Sequence, residues 1–277
     1  MTAQRLDIIR VEKPWGRHAL WRGFDNPADD QPTVGEIWFD TPARRSAALL
    51  VKYLFTNERL SIQVHPNDAQ AQAAGHLRGK AEAWVILAAE PDSTIALGTI
   101  APMSADELRA SALDGSIVDL VDWKPVKAGD VIYLPPGTIH AIGAGITLIE
   151  VQQNVDLTYR LYDYSRPREL HLDAGVAVSV AEPFTVARIA GDIGEGRVSL
   201  VNSDKFTLER WDDRARSLSL TAGTPAWLIP VSGGGTIEGE RYEAGQCWIV
   251  NDFTVIKPDD DGDILVACET GFTIAPL

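Results

Sequence analysis

The chain is built largely from short apolar runs closed by Gly, Pro, Asn or Asp, and this punctuation limits its fold more than any other feature. "LLVKYLF" (49–55), "LSIQVH" (60–65), "AEAWVILA" (81–88), "STIALG" (93–98), "DVIYLP" (130–135), "ITLIEVQQ" (146–153) and "TYRLYDY" (158–164) are rich in β-branched and aromatic residues and often alternate in polarity, as strands do. The exception is "SADELRASALDGSIVDLVD" (104–122), where Ser104 can cap, Glu107 follows three residues later and leucines recur at 108 and 113, so one or two helices are expected between strands. The strand pattern resumes after about residue 180 with "RVSLVNS", "FTLERW", "AWLIPVSG", "QCWIVN" and "DILVACE". An all-β protein of sandwich or barrel type is expected rather than a βαβ fold. We read two units, roughly 1–175 and 185–277, joined through "RPRELHLDAGVAVSVAEPF" (166–184).

Charge and composition narrow the function. A formal net charge of −14 argues against nucleic-acid and anionic-membrane partners, which need a basic surface. No stretch approaches the roughly 18 to 20 consecutive apolar residues of a membrane span, and the start "MTAQRLDIIRVEKPWG" lacks a secretory pattern, so a cytoplasmic location is expected. Cys247 and Cys268 have no CxxC spacing and are expected in the core. "SGGGTIEG" lacks the GK[ST] ending of a phosphate loop and reads as a hairpin turn. "PDDDGD" (258–263) lacks the spacing and terminal Glu of a calcium loop and reads as a solvated turn.

Three stretches offer chemistry. In "LSIQVHP" alternation puts Ser61, Gln63 and His65 on one face and Leu60, Ile62 and Val64 on the other, and Pro66 limits the strand. In "RGKAEAWVILAAE" Lys80, Glu82 and Trp84 share a face, which sets an ammonium beside a carboxylate. In "AGDVIYLPPGTIHAIGAG", Gly129, Pro135, Gly137 and His140 form G-x5-P-x-G-x2-H, a strand entering a Pro/Gly turn before a histidine.

The last pattern resembles the second motif of the cupin superfamily, whose histidine binds a metal, although Ala144 stands where an Asn is usual. With "KPWG", "GEIW", "SIQVHPND", "GKAEAWVIL", "LPPGTIHAIGAGI" and "EVQQNVDLTYRLYDYSRPRELHL", the region 13–172 resembles the type I mannose-6-phosphate isomerases, most closely their short bacterial form. The resemblance implies a cupin double-stranded β-helix (jelly roll) with a short helical insertion, followed by a smaller β-sandwich without metal ligands. It also implies one Zn2+ per chain on Gln63, His65, Glu82 and His140. The set is chemically reasonable: two imidazoles, a carboxylate and an amide oxygen leave a position open, and without thiolate other divalent metals would also fit.

The implied reaction interconverts mannose 6-phosphate and fructose 6-phosphate through an enediol. It needs an electrophile, a base and a grip on phosphate. Lys80 and Glu150 are the candidates for proton transfer, and either could be the base. Beside a divalent ion the ammonium of Lys80 should be destabilised. Arg160 matches an arginine of the family's active site and can grip phosphate or oxyanion charge. Ser61 could bond phosphate and Trp15 could border the pocket. His18, His76 and His171 match no ligand position and are expected to be structural or superficial. Two other readings stay open: a non-catalytic cupin that senses a sugar phosphate, and a metal cupin such as a dioxygenase. Lys80, Glu150 and Arg160 speak against the first, and Gln63 in place of a third histidine against the second.

Overall fold

The computed structural model describes residues 3–41, 47–186, 191–212, 217–218, 224–251 and 253–269. Its strands form four sheets, and all pairings between strands are antiparallel.

Two sheets form a jelly roll. One runs in the order Asp7–Arg17, Val34–Asp40, Leu49–Phe55, Ile146–Gln153, Glu82–Ala89, Val131–Leu134, and the other in the order Tyr159–Tyr162, Ile62–Val64, His140–Ile142, Thr94–Thr99, Val121–Pro125. Leu54, Trp84, Ile86 and Leu148 of the first meet Ile95, Leu97 and Ile142 of the second in a shared core. Side chains alternate across each strand, so the opposite faces need other cover. Ile62, Val64, Ala96 and Ala141 are covered by Leu108, Ala112 and Ile117 of the helical insertion and by Leu172 and Val176. Those last two belong to the helix Leu172–Val178, which lies within the stretch read from sequence as a junction.

The insertion is helical over Ala105–Asp114 and Ile117–Leu120, and Ser104 and Glu107 make the reciprocal cap. A second capping box, Asn67 with Gln70, opens the short helix Asp68–Ala73.

The outer face of the six-stranded sheet, including Val51, Tyr53, Phe55, Val85 and Ile149, packs on Phe206, Leu208, Trp227, Ile229 and Leu265 of a seven-stranded sheet. Covered on both sides, the strands Leu49–Phe55 and Ile146–Gln153 are buried along their whole length, including the polar side chains Lys52, Glu150 and Gln152. The far face of the seven-stranded sheet packs against Ile237, Tyr242 and Ile256 of a four-stranded sheet. There the "SGGGTIEG" stretch forms a hairpin that turns at Glu238 and Gly239, both at positive φ, as two-residue turns favour. The N-terminal strand Ala3–Arg5 pairs with Trp248–Val250, so the chain starts in the later sheet before entering the jelly roll. Cys247 and Cys268 are buried and free. Among the described residues no helix is long and apolar enough to cross a membrane.

Candidate active site

Inside the jelly roll the inward positions change from apolar to polar, and this change creates the site. Gln63 and His140 are direct partners across neighbouring strands, and Gln63 also faces Arg160. From the opposing sheet, Glu82 pairs with Gln152, while Glu150 lies between Trp84 and Lys52. Period-two alternation then aims Glu82, Lys52 and Glu150 into the roll.

His65, Glu82 and His140 each offer a ligand atom, all within 4.8 Å of one another, and all three are buried. His65 Nε2 lies 3.4 Å from Glu82 Oε2, and His140 Nε2 lies 3.2 Å from Glu82 Oε1. Bonds of roughly 2.0–2.1 Å to a tetrahedral ion would separate ligand atoms by about 3.3 Å, so these spacings suit a cation. His65 Nδ1 faces the Leu157 carbonyl and His140 Nδ1 faces the Thr138 carbonyl, both at 2.9 Å. A carbonyl only accepts, so Nδ1 carries the proton in each ring and both Nε2 lone pairs turn inward. The turn that delivers His140 depends on Gly137, at φ 91°, whose N–H donates to His65 O at 2.8 Å. A residue with Cβ is disfavoured in that conformation.

Charge supports the same assignment. Burial, with the nearby Lys80 ammonium, pushes His65 down to about 3, and burial lowers His140, so both imidazoles are neutral. Burial alone would raise Glu82, but the Lys80 ammonium holds it well below the usual carboxylate range. Neither Glu82 oxygen accepts a hydrogen bond of normal geometry, although Lys80 Nζ lies 2.7 Å from Oε2. Buried carboxylates are nearly always satisfied, and this one, ringed by nitrogens, fits a divalent metal. The Gln63 amide lies beside the cluster: Nε2 lies 3.3 Å from His140 Nε2 and Oε1 accepts from Ser61 Oγ at 3.2 Å. A half-turn of the amide would present its oxygen instead.

Gln63 and Lys80 also line a cleft of about 390 Å³, together with Trp15, Ser61, Glu150 and Arg160. Every residue named from the sequence as a metal-ligand, proton-transfer or substrate-binding candidate therefore lies in the cluster or on the cleft wall. Glu150 is buried, which raises its pKa against the pull of Lys80, and it accepts from Trp84 Nε1 at 3.1 Å. Burial would lower the Lys80 pKa, but Glu82, Glu150 and Glu36 outweigh burial and push it up to about 12. Arg160 donates from Nη1 to Glu169 O at 3.0 Å.

The cleft also holds residues that sequence reasoning passed over. Lys52 lies 3.3 Å from Glu150 and 4.5 Å from the Trp38 ring centroid. Its signal was a lysine in the middle of the apolar run "LLVKYLF". His171, expected to be structural or superficial, lines the cleft and accepts from the Arg160 backbone N–H at 3.2 Å. Arg168 also lines it and is held by Asp163 at 2.6 and 2.7 Å.

No family model matches the chain. Over 244 residues, 81% of this chain and 71% of the relative, it is 39% identical to mannose-6-phosphate isomerase of Bacillus subtilis. The chain belongs to the mannose-6-phosphate isomerase family. A further member, mannose-6-phosphate isomerase of Streptococcus mutans, is 36% identical over 194 residues, and the chain spans 61% of that relative's length. Among solved structures, mannose 6-phosphate isomerase from Bacillus subtilis superposes with a TM-score of 0.80 at 26% identity, covering 96% of this chain and 99% of that one. A zinc-bound mannose 6-phosphate isomerase shares the fold at a TM-score of 0.74 and 15% identity, over 97% and 100% of the two chains. The fold is thus the cupin jelly roll of the mannose-6-phosphate isomerase family, and its buried His/Glu/His cluster has the make-up of a metal site.

Proposed function

We propose that this chain is a metal-dependent aldose–ketose isomerase that interconverts D-mannose 6-phosphate and D-fructose 6-phosphate through an enediol. The observation that carries the reading is the His65/Glu82/His140 cluster beside a cleft lined by Lys80, Glu150 and Arg160, in a chain of this family. One zinc ion per chain, held by His65, Glu82, His140 and the Gln63 amide oxygen, would supply electrophilic stabilisation of the sugar oxygens. The donor set has no thiolate, so other divalent ions are alternatives.

Lys80 and Glu150 are our candidates for moving the proton between C2 and C1. They are cleft residues of opposite charge, and Glu150 has the raised pKa that suits a base. Arg160 and Ser61 would hold the phosphate end by charge-assisted and neutral hydrogen bonds, and Trp15 would close the apolar side. We place the enzyme in the cytoplasm, where free thiols such as Cys247 and Cys268 are usual. The jelly roll carries the chemistry in this reading, and the unit after about residue 185 covers its outer face.

A coupled assay for fructose 6-phosphate tests the proposal. The metal-loaded protein should turn over mannose 6-phosphate. Tight binding of the sugar phosphate without turnover would indicate a sensor instead.

A further inference from the structure

The short segment 79–81, which carries Lys80 into the site, is tied down by three groups from two other parts of the chain, Pro66–Asp68 and Gln153. Gly79 N–H donates to Asp68 Oδ1 at 2.8 Å, Lys80 N–H to Pro66 O at 3.1 Å, and Ala81 N–H to Gln153 Oε1 at 3.0 Å. The two side chains involved also bond each other, since Gln153 Nε2 donates to Asp68 Oδ1 at 3.0 Å. The backbone approach is close: a Cβ on Gly79 would stand 2.5 Å from Pro66 O, so only glycine fits against the turn that follows His65.

The other oxygen of Asp68 reaches the later part of the chain. Lys205 Nζ lies 3.0 Å from Asp68 Oδ2. Lys205 sits in a tight turn where Ser203 Oγ accepts from the backbone N–H groups of Lys205 and Phe206. Phe206 anchors that turn by an edge-on contact with Tyr133, at 5.8 Å between ring centroids. A continuous chain of contacts therefore runs from the seven-stranded sheet through Lys205 and Asp68 to the backbone of Gly79, next to Lys80.

We propose that Asp68, Gln153 and Lys205 form a clamp that positions Lys80, and that through this clamp the C-terminal unit takes part in turnover. The proposal rests on the isomerase reading for the role of Lys80. A lysine side chain has four rotatable bonds, so its ammonium is placed by two constraints: the backbone it leaves and the Glu82 and His65 atoms it meets at 2.7 and 3.1 Å. Releasing the backbone constraint allows the ammonium to drift. None of the three clamp residues is among the proposed metal ligands, so metal content should not change.

The test uses the full-length, metal-loaded protein with Lys205→Met, Asp68→Ala and Gln153→Leu. Misplacement of a reacting group by about 1 Å costs up to about a hundredfold in rate, so Asp68→Ala should lose kcat on that scale, and Lys205→Met several-fold less. KM and bound metal should stay close to wild type. Lys205 lies on the surface side of the clamp, and its replacement keeps the test open if Asp68→Ala fails to fold. In a Lys80→Met background the same changes should have no further effect on residual turnover, because they act through Lys80. Amide exchange at Gly79 and Ala81 should be faster in Lys205→Met and Asp68→Ala. Rate losses that multiply with Lys80→Met would overturn the clamp, and so would unchanged exchange at both amides. If the wild type does not isomerise mannose 6-phosphate, the isomerase reading falls while the exchange measurement still decides whether the clamp exists.

Discussion

Lys80 Nζ lies 2.7 Å from Glu82 Oε2, with both side chains almost closed to solvent, so a metal ion held by Glu82 would compete with the ammonium for one charge. A bound cation would draw on Glu82 and weaken the partner that does most to keep Lys80 charged, which brings back the lowered ammonium pKa expected from sequence.

The competition makes a directional prediction. Lys80→Met should bind a divalent metal at least as tightly as wild type, measured against a chromophoric chelator. Its turnover should fall by about 10²-fold or more, the scale of a lost proton-transfer group. Loss of metal together with Lys80 would mean that the lysine supports the ion rather than competing with it.

His140→Ala removes one inward Nε2 and leaves Glu82 without one of its neighbours. Removing a group that merely supports a ligand weakens metal binding by about 10–100-fold, so this variant should lose more than that. Metal analysis after dialysis reads the effect, and unchanged stoichiometry would refute the ligand set.

Lys52 shapes Glu150 from 3.3 Å away. Burial raises the Glu150 pKa and the cations Lys80 and Lys52 restrain it. Lys52→Met removes one restraint, so the group ionises at higher pH. If Glu150 must be ionised to act, the acidic limb of the kcat/KM profile moves to higher pH. A limb that stays in place would take Glu150 out of the proton-transfer role.

The metal-free protein should weaken in acid. His65 is pushed from its ordinary 6.5 down to about 3 in the folded chain, so between those pH values the unfolded state binds a proton that the folded state refuses. Stability from this group is complete above about 6.5 and is lost as pH falls toward 3. His140 acts in the same direction; the raised Glu150 acts oppositely, losing stability as pH climbs through the carboxylate range. Melting of chelated protein should therefore occur at lower temperature at pH 5 than at pH 7.5. His65→Gln should show a smaller drop, and an equal drop in both proteins would remove His65 as its source.

Local periodicity made half of this site legible. Alternation in "SIQVHP" and "GKAEAW" was enough to put Gln63 with His65 and Lys80 with Glu82, because a strand leaves a side chain only two faces. Their meeting with His140 depends on the pairing of Gln63 with His140 across 77 residues, which the motif resemblance supplied and alternation could not. Lys52 was passed over because its role exists only opposite Glu150, a register between distant strands. His171 and Arg168 reach the cleft from irregular chain, where no period assigns a face. The helix Ala105–Asp114 announced itself through its cap. The capping box at Asn67 carried a similar signal over a helix of one and a half turns, too short for apolar spacing to reinforce. The strand Ala3–Arg5 has no buried residue, so no hydrophobic pattern pointed it toward the later sheet.

Metal analysis and the fructose 6-phosphate assay on one sample test the metal-dependent isomerase reading most directly. Chelated protein should contain no divalent metal and show no turnover, and adding back one equivalent of zinc should restore both together. Full turnover from protein verified to be metal-free would contradict it.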